Sequence, residues 1–401
     1  MAKKQRIDPR GVADQVKNTK ISDKRQKTIR ILAVVLILVM LLLIALSSFN
    51  IASTSDMKDG TRNFFSRMGS GGGYPYQLNS SAVEAVDILN GDIFILTDTQ
   101  TMTLDATAKE VKKVDHTYAR PAVAIKSDRA LVYDRDGTRY RVENRSDTIT
   151  EGQLSEDEKI ITAAIGKKGN IAFGTLSDSC TSKLIVINST YKKRVFVWNC
   201  AEYTVSSVAL SDNGQYAAVS VIGSRGGEEY SKVIVFDFDY SDPVSQFEYP
   251  GTTMMSVHFS DNHNVAAVGD NAAAFLKGLD KNEVVKYGNS TPSSYAFADN
   301  GETILMLAQY GSMNNQNLVG YRPSGKESFR KEYDKAVKNI SIAGSRIAVL
   351  TEDSVDLYGL GGTLHRRYEA TPNSLKALCM GKRAYVYQMG SIVKSHRISR
   401  K

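Results

Sequence analysis

The sequence predicts an all-β fold, an eight-bladed β-propeller, preceded by a single transmembrane helix. Three observations predict this fold: a strand phrase that returns along the chain, an alternation of apolar and polar residues within each phrase, and one uninterrupted apolar run near the N-terminus. The phrase returns about every 40 residues, which is the period expected of four-stranded propeller blades. No helical stripe of comparable length competes with the alternation.

The first 30 residues form a basic tail that contains ten Lys or Arg residues and three Asp residues. The tail therefore holds most of the formal net charge of +8, and the rest of the chain is close to neutral. Because the flank richer in Lys and Arg stays on the cytoplasmic side, we expect residues 1–30 to be cytoplasmic. The excess of positive charge is a topology signal and does not indicate a nucleic-acid partner.

Residues 31–52 are predicted to be the transmembrane helix. Residues 31–46 are all apolar, and no charge occurs between Arg30 and Asp56. A bilayer core of about 30 Å needs roughly 20 helical residues, so this segment is long enough. We expect a single-pass signal anchor in the cell membrane, with the C-terminal domain extracytoplasmic. A cleaved signal peptide is the alternative, since Ser47-Ser48 and Ile51-Ala52-Ser53 offer small residues for cleavage. The long charged leader and the long apolar run favour an uncleaved anchor.

Residues 53–73 have the composition of a flexible stalk, which ends in the run Ser70-Gly71-Gly72-Gly73. The propeller is predicted to occupy residues 74–401. Its clearest phrase is residues 205–220, and close copies occupy residues 255–268 and 294–306. Weaker copies begin near Val83, Pro121, Ile160, Lys338 and Lys376.

The phrase that starts at Val205 contains all four strands of one blade. They are predicted at residues 205–210, 215–222, 232–238 and 244–249, and residues 223–231 are predicted to form a long loop. Asp212-Asn213-Gly214 is expected to be the first turn, because Asn and Gly tolerate positive φ.

The eighth copy contains only three strands, at residues 376–380, 383–388 and 391–398. Residues 74–78 precede the first copy and belong to none, so we expect them to supply the missing fourth strand. This arrangement would close the ring and remove exposed sheet edges. Eight blades are favoured, and seven remain possible if one weak copy is a long insertion.

The phrase Ser211-Asp212-Asn213-Gly214, followed by Tyr216-Ala-Ala-Val219, resembles the blade phrase of bacterial WD40-like and YVTN-type β-propellers. The Trp-Asp dipeptide of the eukaryotic form does not occur. With its basic tail, single span and Gly-rich stalk, the whole chain resembles the Firmicutes family of membrane-anchored, propeller-like proteins of unknown function. The resemblance implies the fold and the anchor, and it supplies no catalytic residues.

The sequence offers no catalytic, cofactor-binding or metal-binding motif. Its five histidines are scattered, and no CxxC pair, HExxH helix, GxSxG elbow or phosphate loop occurs. Cys180 and Cys200 are a candidate disulfide, because they fall near each other at the open end of a predicted hairpin centred on Tyr191. The alternative is two free thiols. We expect no cofactor.

Three long loops, at residues 177–182, 223–231 and 309–317, are predicted on one face of the ring, in blades three, four and six. Their polar, Tyr-bearing surface is the candidate binding site, because loops on a rigid scaffold often bind partners. Tolerated surface insertions are the alternative. The candidate binding residues are Arg225, Glu228, Glu229, Tyr230, Tyr310, Asn314, Asn315 and Gln316.

These observations favour a non-enzymatic scaffold of the bacterial envelope that binds a protein or a cell-wall component. A stiff ring that displays many loops suits such a role. The alternative is a propeller hydrolase or lyase whose acidic residues converge at the mouth of the central channel. Two carboxylates with strongly perturbed pKa values, facing each other across that mouth, would favour the enzyme.

Overall fold

The computed structural model describes residues 34, 36, 69–78, 82–309 and 312–398, without the side chains of residues 312–314. Packing divides the chain into two units, Met1–Met68 and Gly69–Lys401. The predicted tail and span fall in the first unit and lie outside the described residues, apart from the helical positions Val34 and Leu36. No helix long and apolar enough to span a bilayer occurs among the residues that the structure describes.

The second unit contains eight four-stranded antiparallel sheets, which we number as blades 1 to 8. Blade 1 consists of β2 (Val83–Leu89), β3 (Asp92–Thr97), β4 (Gln100–Leu104) and β5 (Glu110–Asp115), and blade 2 of β6 (Pro121–Lys126), β7 (Arg129–Asp134), β8 (Arg139–Asn144) and β9 (Thr148–Gln153). Blade 3 consists of β10 (Lys159–Ile165), β11 (Ile171–Ser177), β12 (Cys180–Ile187) and β13 (Arg194–Cys200), and blade 4 of β14 (Thr204–Leu210), β15 (Tyr216–Arg225), β16 (Glu228–Asp237) and β17 (Ser245–Pro250). Blade 5 consists of β18 (Met254–Phe259), β19 (Val265–Gly269), β20 (Ala272–Lys277) and β21 (Lys281–Lys286), and blade 6 of β22 (Ser290–Phe297), β23 (Thr303–Gln309), β24 (Ser312–Tyr321) and β25 (Glu327–Tyr333). Blade 7 consists of β26 (Asn339–Ala343), β27 (Arg346–Leu350), β28 (Ser354–Gly359) and β29 (Leu364–Glu369). Blade 8 consists of β30 (Ser374–Met380), β31 (Arg383–Gln388), β32 (Ser391–Lys394) and β1 (Tyr76–Gln77).

The ring is closed by the predicted strand near the start of the second unit. β1 pairs with β32 in antiparallel register, with Tyr76 opposite Ile392 and Gln77 opposite Ser391. The amide of Leu78 continues this pairing by donating to the carbonyl oxygen of Gly390 at 2.8 Å. β2 also contacts β30, so the first blade packs against the last. The prediction of eight blades, with the last one completed by residues 74–78, is confirmed.

The core lies between neighbouring blades. Second strands such as β3 are buried at every residue, because their sheet is covered on both faces, whereas outermost strands such as β5 are largely exposed. One core cluster joins blade 8 to blade 1 through Leu78, Val86 and Tyr385. Each blade therefore depends on its neighbours for burial, as expected of a repeat ring.

Buried serine side chains join blade 4 to the start of blade 5, and blade 3 to the start of blade 4. The Ser231 hydroxyl in β16 donates to the carbonyl oxygen of Thr252 at 2.6 Å and accepts from the amide of Met254 at 3.2 Å. Ser182 in β12 makes the same pair of contacts to Tyr203 and Val205, at 2.6 and 3.1 Å. These side chains fix the link between blades, where backbone groups would otherwise lack partners.

A buried charge cluster joins blades 1 and 2. The Glu143 carboxylate is fully buried and accepts hydrogen bonds from Lys112, from Arg141 Nε at 2.6 Å and from the Thr101 hydroxyl at 2.9 Å. Burial lowers the pKa of the Lys112 ammonium, and the Glu143 carboxylate opposes that shift. Two cations thus share one carboxylate in the interior of the ring.

The two faces of the ring carry different connections. We call the face with the second-to-third-strand turns and the links between blades the upper face, and the opposite face the lower face. The segment before β1 lies on the lower face, against the turn between β4 and β5. There the amide of Gly73 donates to the carbonyl oxygen of Thr107 at 3.0 Å, and the Tyr74 hydroxyl donates to the carbonyl oxygen of Asp105 at 2.8 Å. The chain therefore enters the ring from its lower face.

Candidate functional site

A two-stranded hairpin of blade 4 stands out on the upper face. β15 and β16 are each ten residues long, and they pair up to Arg225 and Glu228, on either side of Gly226-Gly227. Both glycines have positive φ, 65° and 87°, which a two-residue hairpin turn requires. All residues of 224–229 are exposed. The predicted bounds of the long loop, residues 223–231, are therefore wrong, because the two strands extend to Arg225 and Glu228 and form a hairpin that projects from the ring.

The base of this hairpin is held by an aromatic and charged cluster. Tyr230 is buried, with the Arg225 guanidinium 4.6 Å and the Lys232 ammonium 5.5 Å from its ring centroid. The ring of Tyr203 lies 6.0 Å from that of Tyr230. Lys232 Nζ lies 3.0 Å from a carboxylate oxygen of Glu248. We call these five residues the hairpin cluster. Cation–π contacts and the ion pair give the projecting hairpin a rigid base.

The hairpin cluster changes the role of one predicted binding residue, Tyr230. Arg225, Glu228 and Glu229 are exposed as expected, but Tyr230 supports the hairpin from below. Three members of the cluster, Tyr203, Lys232 and Glu248, were not predicted. The sequence could have indicated the role of Lys232, because side chains two residues apart on a strand, such as those of residues 230 and 232, lie on the same face. Glu248 lies directly opposite Lys232 on β17.

In blade 6 the two predicted binding residues whose side chains the structure describes, Asn315 and Gln316, do not share one surface. Asn315 is exposed, whereas Gln316 is 1% exposed and its side-chain oxygen accepts from the amide of Val337 at 3.0 Å. Gln316 thus joins blade 6 to the next blade, as Ser231 does for blade 4, and its assignment as a surface residue is wrong. Tyr310 lies outside the described residues, and Asn314 is described only as part of β24. Blade 5 separates Asn315 from the blade 4 hairpin.

The predicted hairpin register of blade 3 is present, with Lys183 opposite Asn199 and Leu184 opposite Trp198. Cys200 lies opposite Ser182, and Cys180 lies two residues further along that strand. Both thiols are free in the structure, and Cys180 Sγ donates to the carbonyl oxygen of Ser182 at 3.2 Å. Burial raises the pKa of the Cys200 thiol. Disulfide formation between Cys180 and Cys200 stays a prediction.

A cavity of about 1020 Å³ lies on the ring axis and is lined by first strands and first turns from six blades. Its carboxylates are Asp87 and Asp299, whereas its cations are Lys126, Arg346, Lys376 and Lys382. Asp87 lies 3.4 Å from Lys376. The cavity is therefore more basic than acidic, unlike the acidic mouth expected for a hydrolase or lyase. Across the described part of the chain, no group of three His, Cys, Asp or Glu side chains is placed to hold a metal ion.

A second concavity, of about 530 Å³, lies between blades 1 and 2 and is lined in part by His116, Arg139 and Arg141. Each of these side chains is engaged within the ring. Arg141 bonds Glu143, Arg139 Nη2 donates to the carbonyl oxygen of Thr117 at 2.6 Å, and His116 Nε2 lies 3.1 Å from the carbonyl oxygen of Thr97. This concavity is built from structural contacts, so the projecting hairpin remains the better candidate site.

Solved structures with a similar fold come from several organisms. Sqt1 from Chaetomium thermophilum, bound to the N-terminus of a ribosomal protein, gives a TM-score of 0.56 at 13% identity, covering 81% of this chain and 98% of that chain. Sqt1 from Saccharomyces cerevisiae gives 0.55 at 9% identity, covering 83% and 100%. BamB from Moraxella catarrhalis gives 0.50 at 12% identity, covering 81% and 100%. At these identities the likeness shows the fold alone.

A comparison with curated protein sequences finds no significant match. A family model, described as a family of unknown function (DUF5711), matches residues 75–394. That match starts one residue before β1, the strand that closes the ring, and ends at the last residue of β32. The chain therefore belongs to DUF5711, a family of unknown function.

Proposed function

We propose that this protein is a single-pass membrane scaffold of the bacterial envelope, whose propeller binds a protein partner through its upper face. The anchor is residues 31–52, and the basic residues 1–30 keep the N-terminus in the cytoplasm. The propeller then lies on the extracytoplasmic side. The apolar run and the charge asymmetry of the sequence support this part of the proposal.

Reporter fusions test the topology. Alkaline phosphatase, which is active only after export, is fused after residue 60 or after residue 401, and β-galactosidase, which is active only in the cytoplasm, is fused at the same positions. We expect phosphatase activity at both positions, and active β-galactosidase at either would contradict the topology. N-terminal sequencing of the membrane form separates an anchor from a cleaved signal peptide.

The observation that carries the binding proposal is the projecting hairpin of blade 4. Its six exposed residues, 224–229, extend beyond a rigid ring, and the hairpin cluster holds its base. A fixed hairpin loses little conformational freedom when it binds, so more of the contact free energy appears as affinity. Residues 228 and 229 place two carboxylates at the tip, next to Arg225. This composition suits a polar protein surface with basic side chains.

One structural relative supports a protein partner. The propeller Sqt1 has been solved with the N-terminus of a ribosomal protein bound to it, so a ring of this fold can hold a polypeptide. For the present chain we propose a protein of the envelope. A cell-wall component is the second ligand to test, because the exported propeller would meet both.

Affinity purification of the full chain from native membranes after cross-linking tests the proposal. We compare the wild type with the double variant Glu228→Ala, Glu229→Ala. The matched control is Glu283→Ala, Glu332→Ala, which removes two exposed carboxylates from outer strands of blades 5 and 6. We expect the hairpin variant to lose a reproducible protein partner that the control keeps. Retention of every partner by the hairpin variant would contradict the proposal, and sedimentation with purified cell wall would point to the second ligand.

A further inference from the structure

We propose that the groove between blades 7 and 8 on the lower face is an anion site that binds a phosphate group. The groove has a volume of about 350 Å³, and it is lined by Leu357 and by five basic side chains. We call these five residues the basic groove. They are Arg346, His365, Arg366, Lys382 and Arg397.

The fold brings these side chains together from distant parts of the sequence. Arg346 begins β27 and Lys382 lies in the first turn of blade 8. Arg366 lies on the outermost strand of blade 7, opposite Leu357, and its Nη1 atom donates to the carbonyl oxygen of Lys382 at 3.4 Å. Arg397 is held across the groove by a β-bridge to Tyr368. Arg346, His365 and Lys382 fall at the lower end of their blades.

The groove differs from the two cavities described above because no carboxylate side chain lines it. By contrast, the Arg367 guanidinium donates to both carboxylate oxygens of Asp356, at 2.5 and 2.7 Å, and the Arg194 guanidinium donates to both of those of Glu158, at 2.8 and 2.6 Å. Among the described residues, no carboxylate lies within 4.0 Å of a cationic nitrogen of the basic groove. Arg366 and Arg367 are neighbours on β29, so one face of this strand carries an arginine without a carboxylate partner and the other face carries a paired arginine.

Like charges in a shared concavity repel one another unless an anion neutralises them. Arginine presents planar, forked donors that match the oxygens of a phosphate, and lysine adds a point charge. The basic groove provides three arginines and one lysine around a space that suits a single phosphate-bearing group. Arg346 and Lys382 also line the axial cavity, so the positive potential extends to the mouth of the channel.

Two sources of phosphate fit this chemistry, a phospholipid headgroup and a soluble phosphate compound. The chain enters the ring on the lower face, so the groove and the entry segment share that face. The groove lies on the opposite face from the blade 4 hairpin. Its occupation is therefore independent of the partner proposed for the upper face.

Calorimetric titration of the purified full chain in nonionic detergent tests the inference. The probes are pyrophosphate and a water-soluble, short-chain phosphatidylglycerol. The test variant is Arg346→Gln, Arg366→Gln, and the single variant Arg397→Gln covers the case in which the double variant fails to fold. The control is Arg120→Gln, Lys335→Gln, which removes two exposed cations from the upper face. It lowers the net charge by the same amount.

We expect at least one probe to bind the wild type, with affinity reduced about tenfold or more in the groove variants and less than about twofold in the control. Loss of the lipid alone identifies a headgroup site, and loss of pyrophosphate alone identifies a soluble ligand. Binding that falls equally in the control and groove variants is non-specific attraction and overturns the proposal. Absence of binding by the wild type to both probes also overturns it.

Discussion

At the scale of single residues, the charges buried between blades 1 and 2 carry the clearest energetic consequence. Glu143 neutralises Lys112 and Arg141, and none of the three is more than 7% exposed. Removing the single carboxylate leaves two cations in a site that water reaches poorly. A broken buried ion pair costs far more than an exposed one, because the remaining charge is neither solvated nor paired.

Glu143→Gln is therefore expected to lower the free energy of unfolding by about 3–5 kcal/mol. Urea unfolding of the full chain, followed by intrinsic fluorescence, measures the change. Asp136→Asn is the control, since Asp136 pairs with Arg120 at the surface and its loss should cost about 1 kcal/mol or less. Equal effects of the two substitutions would show that the cluster is solvated.

His258 predicts a pH dependence of stability. Its ring stacks on Phe297, with centroids 4.7 Å apart, and burial together with the charge of Lys126 lowers the pKa of His258 to about 3. The unfolded chain has a His pKa near 6.5, so it binds a proton that the folded state does not. The contribution of His258 to the free energy of unfolding is therefore fully present above about pH 6.5. It is lost as the pH is lowered toward 3, by up to roughly 1.4 kcal/mol per pH unit.

The measurement compares the melting temperatures of the wild type and of His258→Gln between pH 4 and 8. The variant should lose less stability than the wild type below pH 6.5, because it lacks the titrating group. His396→Gln, at an exposed histidine, should follow the wild type. Identical slopes for the wild type and His258→Gln would exclude a buried neutral histidine.

At the scale of elements, the two-residue strand β1 closes the ring. It covers the outer edge of β32 and brings Tyr74 against Tyr385, with ring centroids 4.8 Å apart. Deletion of residues 74–78 should expose that edge, lower the melting temperature and give soluble oligomers, because unpaired strand edges associate. Light scattering after size exclusion measures the effect. A deletion of residues 54–58 in the predicted stalk is the control and should leave a monodisperse protein.

The links between blades lead to a second prediction at this scale. Ser231→Ala leaves the amide of Met254 and the carbonyl oxygen of Thr252 without their buried partner, so it should cost about 1–3 kcal/mol. Chemical unfolding measures the loss, and Ser224→Ala, at an exposed hairpin residue, should change stability by less than about 0.5 kcal/mol. A neutral Ser231→Ala would mean that the link between blades does not need this contact.

The elements also show what could be predicted from sequence. Strand alternation and the period of the phrase give the blade count, and the one unassigned strand gives the closure, because both are local patterns with a fixed period. The roles of Tyr230 and Gln316 were mispredicted for a different reason. Both residues lie in segments that were predicted to be loops, but the flanking strands continue into those segments and pair there. As strand residues, Tyr230 and Gln316 point into the interior.

At the scale of the whole molecule, the ring separates two candidate surfaces. The projecting hairpin lies on the upper face, and the basic groove and the entry of the chain lie on the lower face. The groove could not be predicted from sequence, because Arg346, Lys382 and Arg397 meet only through the ring topology. The hairpin could be predicted in part, since its glycines and charged residues are contiguous.

Site-specific photo-crosslinking in living cells tests the central claim, that the hairpin of blade 4 binds a protein partner. A photoreactive amino acid replaces Glu228 at the hairpin tip or, as the control, the exposed Glu283 on blade 5. We predict a discrete, reproducible protein adduct from position 228 that is absent from position 283. The same adducts from both positions, or none from position 228, would contradict a protein-binding hairpin.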